Sequence, residues 1–408
     1  MEAIQFNISV PRYIAGKVLG AVYEPLYWSG LSCLRYGSVD EPALPGPDWV
    51  KITTRYGGIC GSDWGLVHLH NSPYLSPFGS ERFVVGHENL GTIAEAGSEV
   101  EGWSVGDRVI ADLLLPCAPR GFGEACPACR RGDYNLCERF AEGALAPGTI
   151  LGSCTDTGGS WGPVYVAHQS QLVRVPENVT GENAILLDAL GSALHPVLRN
   201  YPEDDQTVLV AGAGTIGLCA VASLRALGSR ARILVLAKYQ FQADLARRFG
   251  ADEVLLLGRN QEHYGALVEL TGGKLYRPIL GKPALVGGAD IVYECVGSSA
   301  SIDDALHLAA AGGRVVLIGA AGVPKGVDWT PVWFHELTIQ GAYAVAMEDY
   351  QGRRMRTYEV GLELMAEEKL DLSPLLTHRF KLSEYKKAFR TLRSRGRSRA
   401  LKAVFTFD

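Results

Sequence analysis

No stretch of about 18 consecutive apolar residues occurs in the 408-residue chain, so nothing in it reads as a membrane-spanning helix. No cleavable leader is expected either, because Met1-Glu-Ala-Ile-Gln-Phe-Asn-Ile-Ser-Val10 reads as a strand. Positive charge is not in excess: 39 Lys and Arg stand against 44 Asp and Glu, a net charge of −5, which gives nucleic acid no electrostatic footprint. Internal repeats, low-complexity tracts and amphipathic membrane helices are not found. These absences predict a soluble cytoplasmic protein with small-molecule partners, and neither nucleic acid nor membrane among them. Thiols stay reduced there, so the nine cysteines are expected as ligands or core residues rather than disulfides. Four of them crowd between Cys117 and Cys137, a density that core packing rarely produces.

The length predicts two domains, and a composition 47% hydrophobic and 20% charged predicts globular ones. Up to about Val179 the chain consists of short β-rich runs broken by Gly and Pro, such as Val50–Tyr56, Phe83–Val85 and Arg108–Ala111, which predicts a compact, barrel-like β domain. After about Glu182, strands alternate with helical stretches. Thr207–Ala211, Ile233–Leu236, Glu253–Leu257, Asp290–Glu294, Arg314–Ile318 and Leu337–Gln340 read as strands, and Leu218–Leu227 and Gln242–Phe249 as helices. Nearly continuous apolar strands separated by helices predict an α/β fold, a parallel sheet covered on both faces. Thr271–Gly288, rich in Gly and Pro, reads as a loop excursion. Tyr358–Lys369 reads as a helix, and the final strand Lys402–Phe407 is expected to return to the first domain.

The first strand of the second half runs into Gly212-Ala-Gly214-Thr215-Ile216-Gly217 and then a helix. In that setting the first glycine permits a tight turn, the second lets the backbone approach a pyrophosphate, and the third lets helix and strand pack closely. The helix N-terminus presents free N–H groups to the phosphates. At the end of the next strand, where NAD-preferring sites carry Asp or Glu for the ribose 2′-hydroxyl, the chain has Ala237 followed by Lys238. Without a carboxylate to repel a 2′-phosphate, and with an ammonium to attract it, NADP is the expected cofactor, with NAD as the alternative.

The stretch Gly57-Gly-Ile-Cys60-Gly-Ser62-Asp63-Trp-Gly65 sets a thiol, a hydroxyl and a carboxylate within four positions. Downstream come His87-Glu88 and, much later, Asp188. Thiolate and imidazole suit zinc, and a catalytic zinc keeps three protein ligands and an open position. Spacing alone does not separate such ligands from buried core residues.

The chain resembles the zinc-dependent medium-chain dehydrogenase/reductase family, the alcohol, polyol and threonine dehydrogenase group, over nearly its whole length. The likeness rests on Gly58-Ile-Cys60-Gly-Ser-Asp63, Gly86-His-Glu88, Gly106-Asp-Arg-Val109, the glycine fingerprint, and Thr377-His-Arg-Phe380 with Leu382. It implies a GroES-like catalytic domain over residues 1–180 with a structural-zinc lobe near 115–140, a Rossmann domain over 181–344, and a C-terminal return over 345–408. It also implies a catalytic zinc in the cleft between the domains.

By motif, Cys60 and His87 match the first two ligands, and the third position falls on Asp188. Polyol-type relatives carry Glu there and formaldehyde-dehydrogenase-like relatives carry Asp. Glu88 matches the family's carboxylate beside the zinc, either standing behind the ligands or swinging in as an alternate one. Ser62 matches the hydroxyl that takes the substrate's proton. Asp63 is expected to hold the turn or bond a group behind the ligands. Where many relatives place a relaying histidine the chain has Gly65, and His68 or His70 can substitute only if the loop folds back.

The lobe departs from the family as well. Cys126, Cys129 and Cys137 fit the last three of four spaced cysteines, but Gly123 stands at the first place. Cys117 completes the set if Ala118–Ala125 loops out; the alternatives are a lobe without metal or with Glu124 as a ligand.

The resemblance thus implies an enzyme that moves a hydride between an alcohol, polyol or aldehyde and a nicotinamide cofactor, as a homodimer or homotetramer. A formaldehyde-dehydrogenase or dismutase-like aldehyde enzyme is the rival suggested by Asp188. A non-catalytic protein of the same fold is the rival from another class; such lens and quinone-sensing relatives commonly lack the zinc ligands.

Overall fold

The structure, a computed structural model, describes residues 1–258 and 261–407. Arg259, Asn260 and Asp408, which fall in the expected second and third segments, lie outside the described residues. The chain divides into two compact units: the stretch up to Asp188 joined by the segment from Val345 onward, and Ala189–Ala344.

In the first unit, Trp49–Gly58 is the strand around which the main sheet is built. Its side chains alternate, with Ile52, Thr54 and Tyr56 buried and Thr53 and Arg55 exposed, as a half-covered strand requires. One edge pairs antiparallel with Asn89–Ala96. The other edge is shared, its first half taken by Val164–His168 and its second by Lys402–Thr406. The sheet continues through Arg108–Ala111 to Leu172–Arg174 on one side and ends with Leu376–Lys381, parallel to the C-terminal strand, on the other. A smaller sheet orders Leu34–Ser38, Glu2–Asn7 and Arg82–Val84. The strand ends converge on one place: Trp49–Gly58 leads to Cys60, Arg82–Val84 to His87, and the last strand opens with Lys402.

The all-β expectation for this stretch needs a correction at its start. The first strand stops at Asn7, and Val10–Val22 forms an α-helix. Pro11 in its first turn costs no helical hydrogen bond, because the N–H it lacks has no partner there anyway.

The second unit is a six-stranded parallel sheet in the order Glu253–Leu256, Arg232–Ala237, Thr207–Ala211, Ala289–Glu294, Ala309–Leu317, Thr338–Gly341. From Thr207–Ala211 the chain winds outward over two strands, then returns to add the rest on the other side. That is the doubly wound Rossmann topology, and the reversal opens a crevice beyond the carboxyl ends of Thr207–Ala211 and Ala289–Glu294. The inner strands are buried on both faces, with Leu209, Leu234, Val292 and Val315 at their core. Thr271–Gly288, expected as a loop, contains an antiparallel hairpin pairing Lys274–Tyr276 with Ala284–Val286.

Candidate metal centre and cofactor cradle

Cys60 precedes the short helix Gly61–Val67, and Asp63 in that helix's first turn holds the bend: its Oδ2 accepts the Cys60 N–H at 2.9 Å. The other oxygen of Asp63 lies 3.3 Å from His87 Nδ1. One carboxylate therefore fixes both the Cys60 backbone and the His87 ring, leaving the ring's Nε2 free to face the site. Ser62 sits half-buried on the same turn, two residues after the thiol. Gly58 is glycine for a steric reason, since a Cβ there would stand 2.0 Å from Oε2 of Glu88.

Donor atoms of Cys60, His87 and Glu88 all lie within 4.8 Å of one another. Asp188, in the first turn of the helix Leu187–Arg199, brings its Oδ2 to 4.0 Å from His87 Nε2 but stands outside that mutual group. Its Oδ1 accepts a 2.5 Å hydrogen bond from the Tyr358 hydroxyl. Glu88 is buried; its Oε1 pairs with the equally buried Lys402, while its Oε2 has no hydrogen-bond partner among the described residues. Burial opposes the His87 imidazolium, yet Asp63 and Cys60 outweigh it and hold the ring well above the ordinary histidine range. A half-buried thiol, a buried imidazole and two buried carboxylates, one with an oxygen that no described residue meets, make a donor set of the type zinc takes.

Of the two histidines weighed as proton relays, His68 is already engaged. Its Nδ1 meets the Trp64 carbonyl at 2.8 Å and its Nε2 meets Glu24 at 3.1 Å. His70 is exposed.

The four lobe cysteines come together, Cys117 included, with all four sulfurs within 4.8 Å of one another. The Cys117 and Cys137 sulfurs are 3.7 Å apart, and all four thiols are free. Against the cost of burial, backbone N–H groups of Cys129 and Glu138 bring the Cys126 thiol down to about 6. Arg120 shows how the stretch after Cys117 is accommodated. It is fully buried, and its guanidinium donates to the carbonyls of Leu115, Glu142, Leu145, Ala146 and Gly148 at 2.5–3.2 Å. Its fork of five N–H groups thereby ties the inserted stretch to the far side of the lobe.

In the second unit, Gly212 has φ +112°, and a Cβ on Gly217 would fall 1.8 Å from the Gly212 carbonyl. A Cβ on Gly214 would meet nothing within 4 Å, so the approach to the turn is open. Thr215 and Ile216 begin the helix Thr215–Ala226, whose first N–H groups face this turn. Ala237 is buried at the end of its strand, and Lys238 is exposed with its ammonium 5.7 Å from the Tyr239 ring centre. Among the described residues no carboxylate pairs with Lys238.

Lys402, Tyr358 and Arg120 escape sequence reasoning. The first two are tied to their partners by the fold alone, across 314 positions for Lys402 and Glu88 and 170 for Tyr358 and Asp188.

Comparison with known proteins agrees with this architecture. Residues 46–177 match the alcohol dehydrogenase GroES-like domain, and residues 215–367 match the zinc-binding dehydrogenase domain. The chain is 30% identical to an L-idonate 5-dehydrogenase of Vitis vinifera, covering 96% of this chain and 97% of that one. It is 32% identical to a sorbitol dehydrogenase of Arabidopsis thaliana over 92% and 93% of the two chains. The crystal structure of galactitol-1-phosphate dehydrogenase from Escherichia coli superposes with a TM-score of 0.72 over the full length of both chains at 20% identity. With a GroES-like unit, a doubly wound unit and a thiol–imidazole–carboxylate cluster in one chain, this protein belongs to the zinc-dependent medium-chain dehydrogenase/reductase family and is an oxidoreductase of its alcohol and polyol dehydrogenase group.

Proposed function

We propose that the protein oxidises a polyol or a related alcohol, or reduces the matching carbonyl, with NADP as the preferred cofactor and zinc held by Cys60, His87 and Asp188. What supports the reading is the meeting of Cys60, His87 and Glu88 with Asp188 beside it. The likeness to idonate and sorbitol dehydrogenases favours polyhydroxylated substrates. Bound there, zinc supplies a Lewis acid that lowers the pKa of the substrate hydroxyl.

The remaining work falls to the chain's own groups. Asp63 keeps His87 turned with Nδ1 inward, so Nε2 is the ligand nitrogen. Ser62, next to the ligand thiolate, takes the hydroxyl proton. Glu88 stays behind the ligands, held by Lys402, with its free oxygen available as an alternate donor. Cys117, Cys126, Cys129 and Cys137 hold a second, structural zinc. Gly212, Gly214 and Gly217 cradle the pyrophosphate at the helix start, and Lys238 meets the 2′-phosphate beside Ala237, where no carboxylate repels it. A cytoplasmic homodimer or homotetramer completes the reading.

The test is a set of initial rates over alcohols, polyols and aldehydes with each cofactor. The expected result is higher kcat/KM for a polyol with NADP⁺ than with NAD⁺, the gap narrowing in Lys238→Ala and reversing in Ala237→Asp. Turnover confined to aldehydes, or equal efficiency with both cofactors, contradicts it.

A further inference from the structure

The helix Val10–Val22 lies on the first unit through its glycines. A Cβ on Gly20 would stand 2.6 Å from the Tyr27 ring and one on Gly16 3.0 Å from Leu69, so the helix backbone rests directly on the domain. Tyr13 packs on the same side, its hydroxyl donating to the Leu69 carbonyl at 3.5 Å, and the opposite side of the helix faces outward. At about 100° per residue, Val10, Ile14, Val18, Leu19, Ala21 and Val22 fill one broad arc. Val10, Ile14, Val18 and Val22 are 68%, 57%, 62% and 87% exposed. Exposed apolar side chains scattered singly need no explanation, but a contiguous arc does. Ile8 and Tyr23, both exposed, carry the apolar strip past the two ends of the helix.

Charge frames the arc. Lys17 lies on one border and Arg12 on the other, and the helix contains no acidic residue. The segment is set between Glu2–Asn7 and Leu34–Ser38, strands that pair directly with each other. The sheet therefore does not need the outward arc for its own burial.

We infer that this helix seats the protein on an anionic lipid surface, its apolar arc sunk to the level of the acyl chains and Arg12 and Lys17 reaching the headgroups. The border charges select this occupant over a second copy of the chain. A twofold pairing of two such helices would set cations against cations with no acid on either helix to answer them, whereas anionic headgroups answer both. With a net charge of −5 on the whole chain, the attraction is local to this helix. The inference stands apart from the catalytic reading and revises the expectation that no membrane is a partner.

Cosedimentation of the full-length protein with vesicles of phosphatidylcholine alone, or with added phosphatidylglycerol, tests it. The protein is expected to pellet with the anionic vesicles and to be released by high salt. An Ile14→Ser/Val18→Ser variant, changed only at exposed positions, should partition at least about tenfold more weakly, given the apolar area each residue offers. Arg12→Gln/Lys17→Gln, which leaves the arc intact, should bind weakly and lose its salt dependence. Failure of the unmodified protein to bind anionic vesicles overturns the inference, and so does binding indifferent to the Ile14 and Val18 changes. Sedimentation velocity gives a third arm: an assembly that dissociates in the Ile14→Ser/Val18→Ser variant, without vesicle binding by the parent, makes the arc a contact between copies instead.

Discussion

The Tyr358 hydroxyl donates a 2.5 Å hydrogen bond to Oδ1 of Asp188, whose other oxygen faces His87 Nε2 at 4.0 Å. Asp188 thus has one oxygen anchored and one turned toward the candidate ligand set. Tyr358→Phe keeps the ring and removes the anchor. It should weaken zinc binding by roughly 10–100-fold, the usual weight of a group that orients a ligand, while the folded chain loses about 1–3 kcal/mol at most. Chelator competition on the purified variant measures the first quantity and denaturant titration the second. Unchanged zinc affinity would remove Tyr358 from the site.

Lys402 and Glu88 are both buried and paired. Breaking one side of such a pair leaves an uncompensated charge in the interior, so Lys402→Met should cost about 3–5 kcal/mol. Adding Glu88→Gln should restore much of that loss, a non-additivity that a double-mutant cycle reads directly. Losses that simply add would mean that the two side chains do not depend on each other.

Asp112 is a buried carboxyl that accepts from Tyr134 at 2.8 Å and from the Leu114 N–H at 3.0 Å. Burial outweighs these donors and raises its pKa from 3.8 to about 6. Folding therefore favours its protonated form. Its contribution to stability is complete below about pH 4 and is lost as the pH rises through about 6. Asp112→Asn removes that loss, so the variant should be more stable than the parent at neutral pH by up to about 3 kcal/mol, because each tenfold change in proton affinity is worth about 1.4 kcal/mol. The advantage should vanish below about pH 4. Urea titrations at the two pH values check both, and a variant less stable at neutral pH would contradict the assignment.

Cys117 stands six positions before the place the family's spacing assigns, yet its sulfur joins the other three. Cys117→Ser should lower the zinc content from close to two ions per chain to one and reduce thermal stability, with the ion at Cys60 retained. A content of one ion in the parent, unchanged in the variant, would exclude the lobe as a zinc site.

Much of the site is legible in the sequence because local chemistry announces it. Gly212 to Gly217 sit between an apolar strand and a helix, and Cys60, Ser62 and Asp63 share one turn. What is not legible depends on contacts that only the fold creates. Lys402 opens a strand whose alternation gives no hint that an ammonium is buried, and Tyr358 reads as one more apolar residue of an amphipathic helix. Val10–Val22 is masked by its own composition: three valines and an isoleucine favour a strand, and its two glycines and a proline suggest breaks. Those glycines instead let the helix lie close on Tyr27 and Leu69.

The most direct test of the central claim is nicotinamide reduction by one polyol substrate, followed before zinc is stripped from the protein, after stripping, and after zinc is returned, with Ser62→Ala run alongside. Turnover should disappear with zinc and recover when it is restored. The Ser62→Ala protein should keep its full zinc content but show roughly 10²–10⁴ less activity, the weight of a positioned proton acceptor. Turnover that survives complete zinc removal, or a Ser62→Ala enzyme as fast as its parent, would contradict the claim.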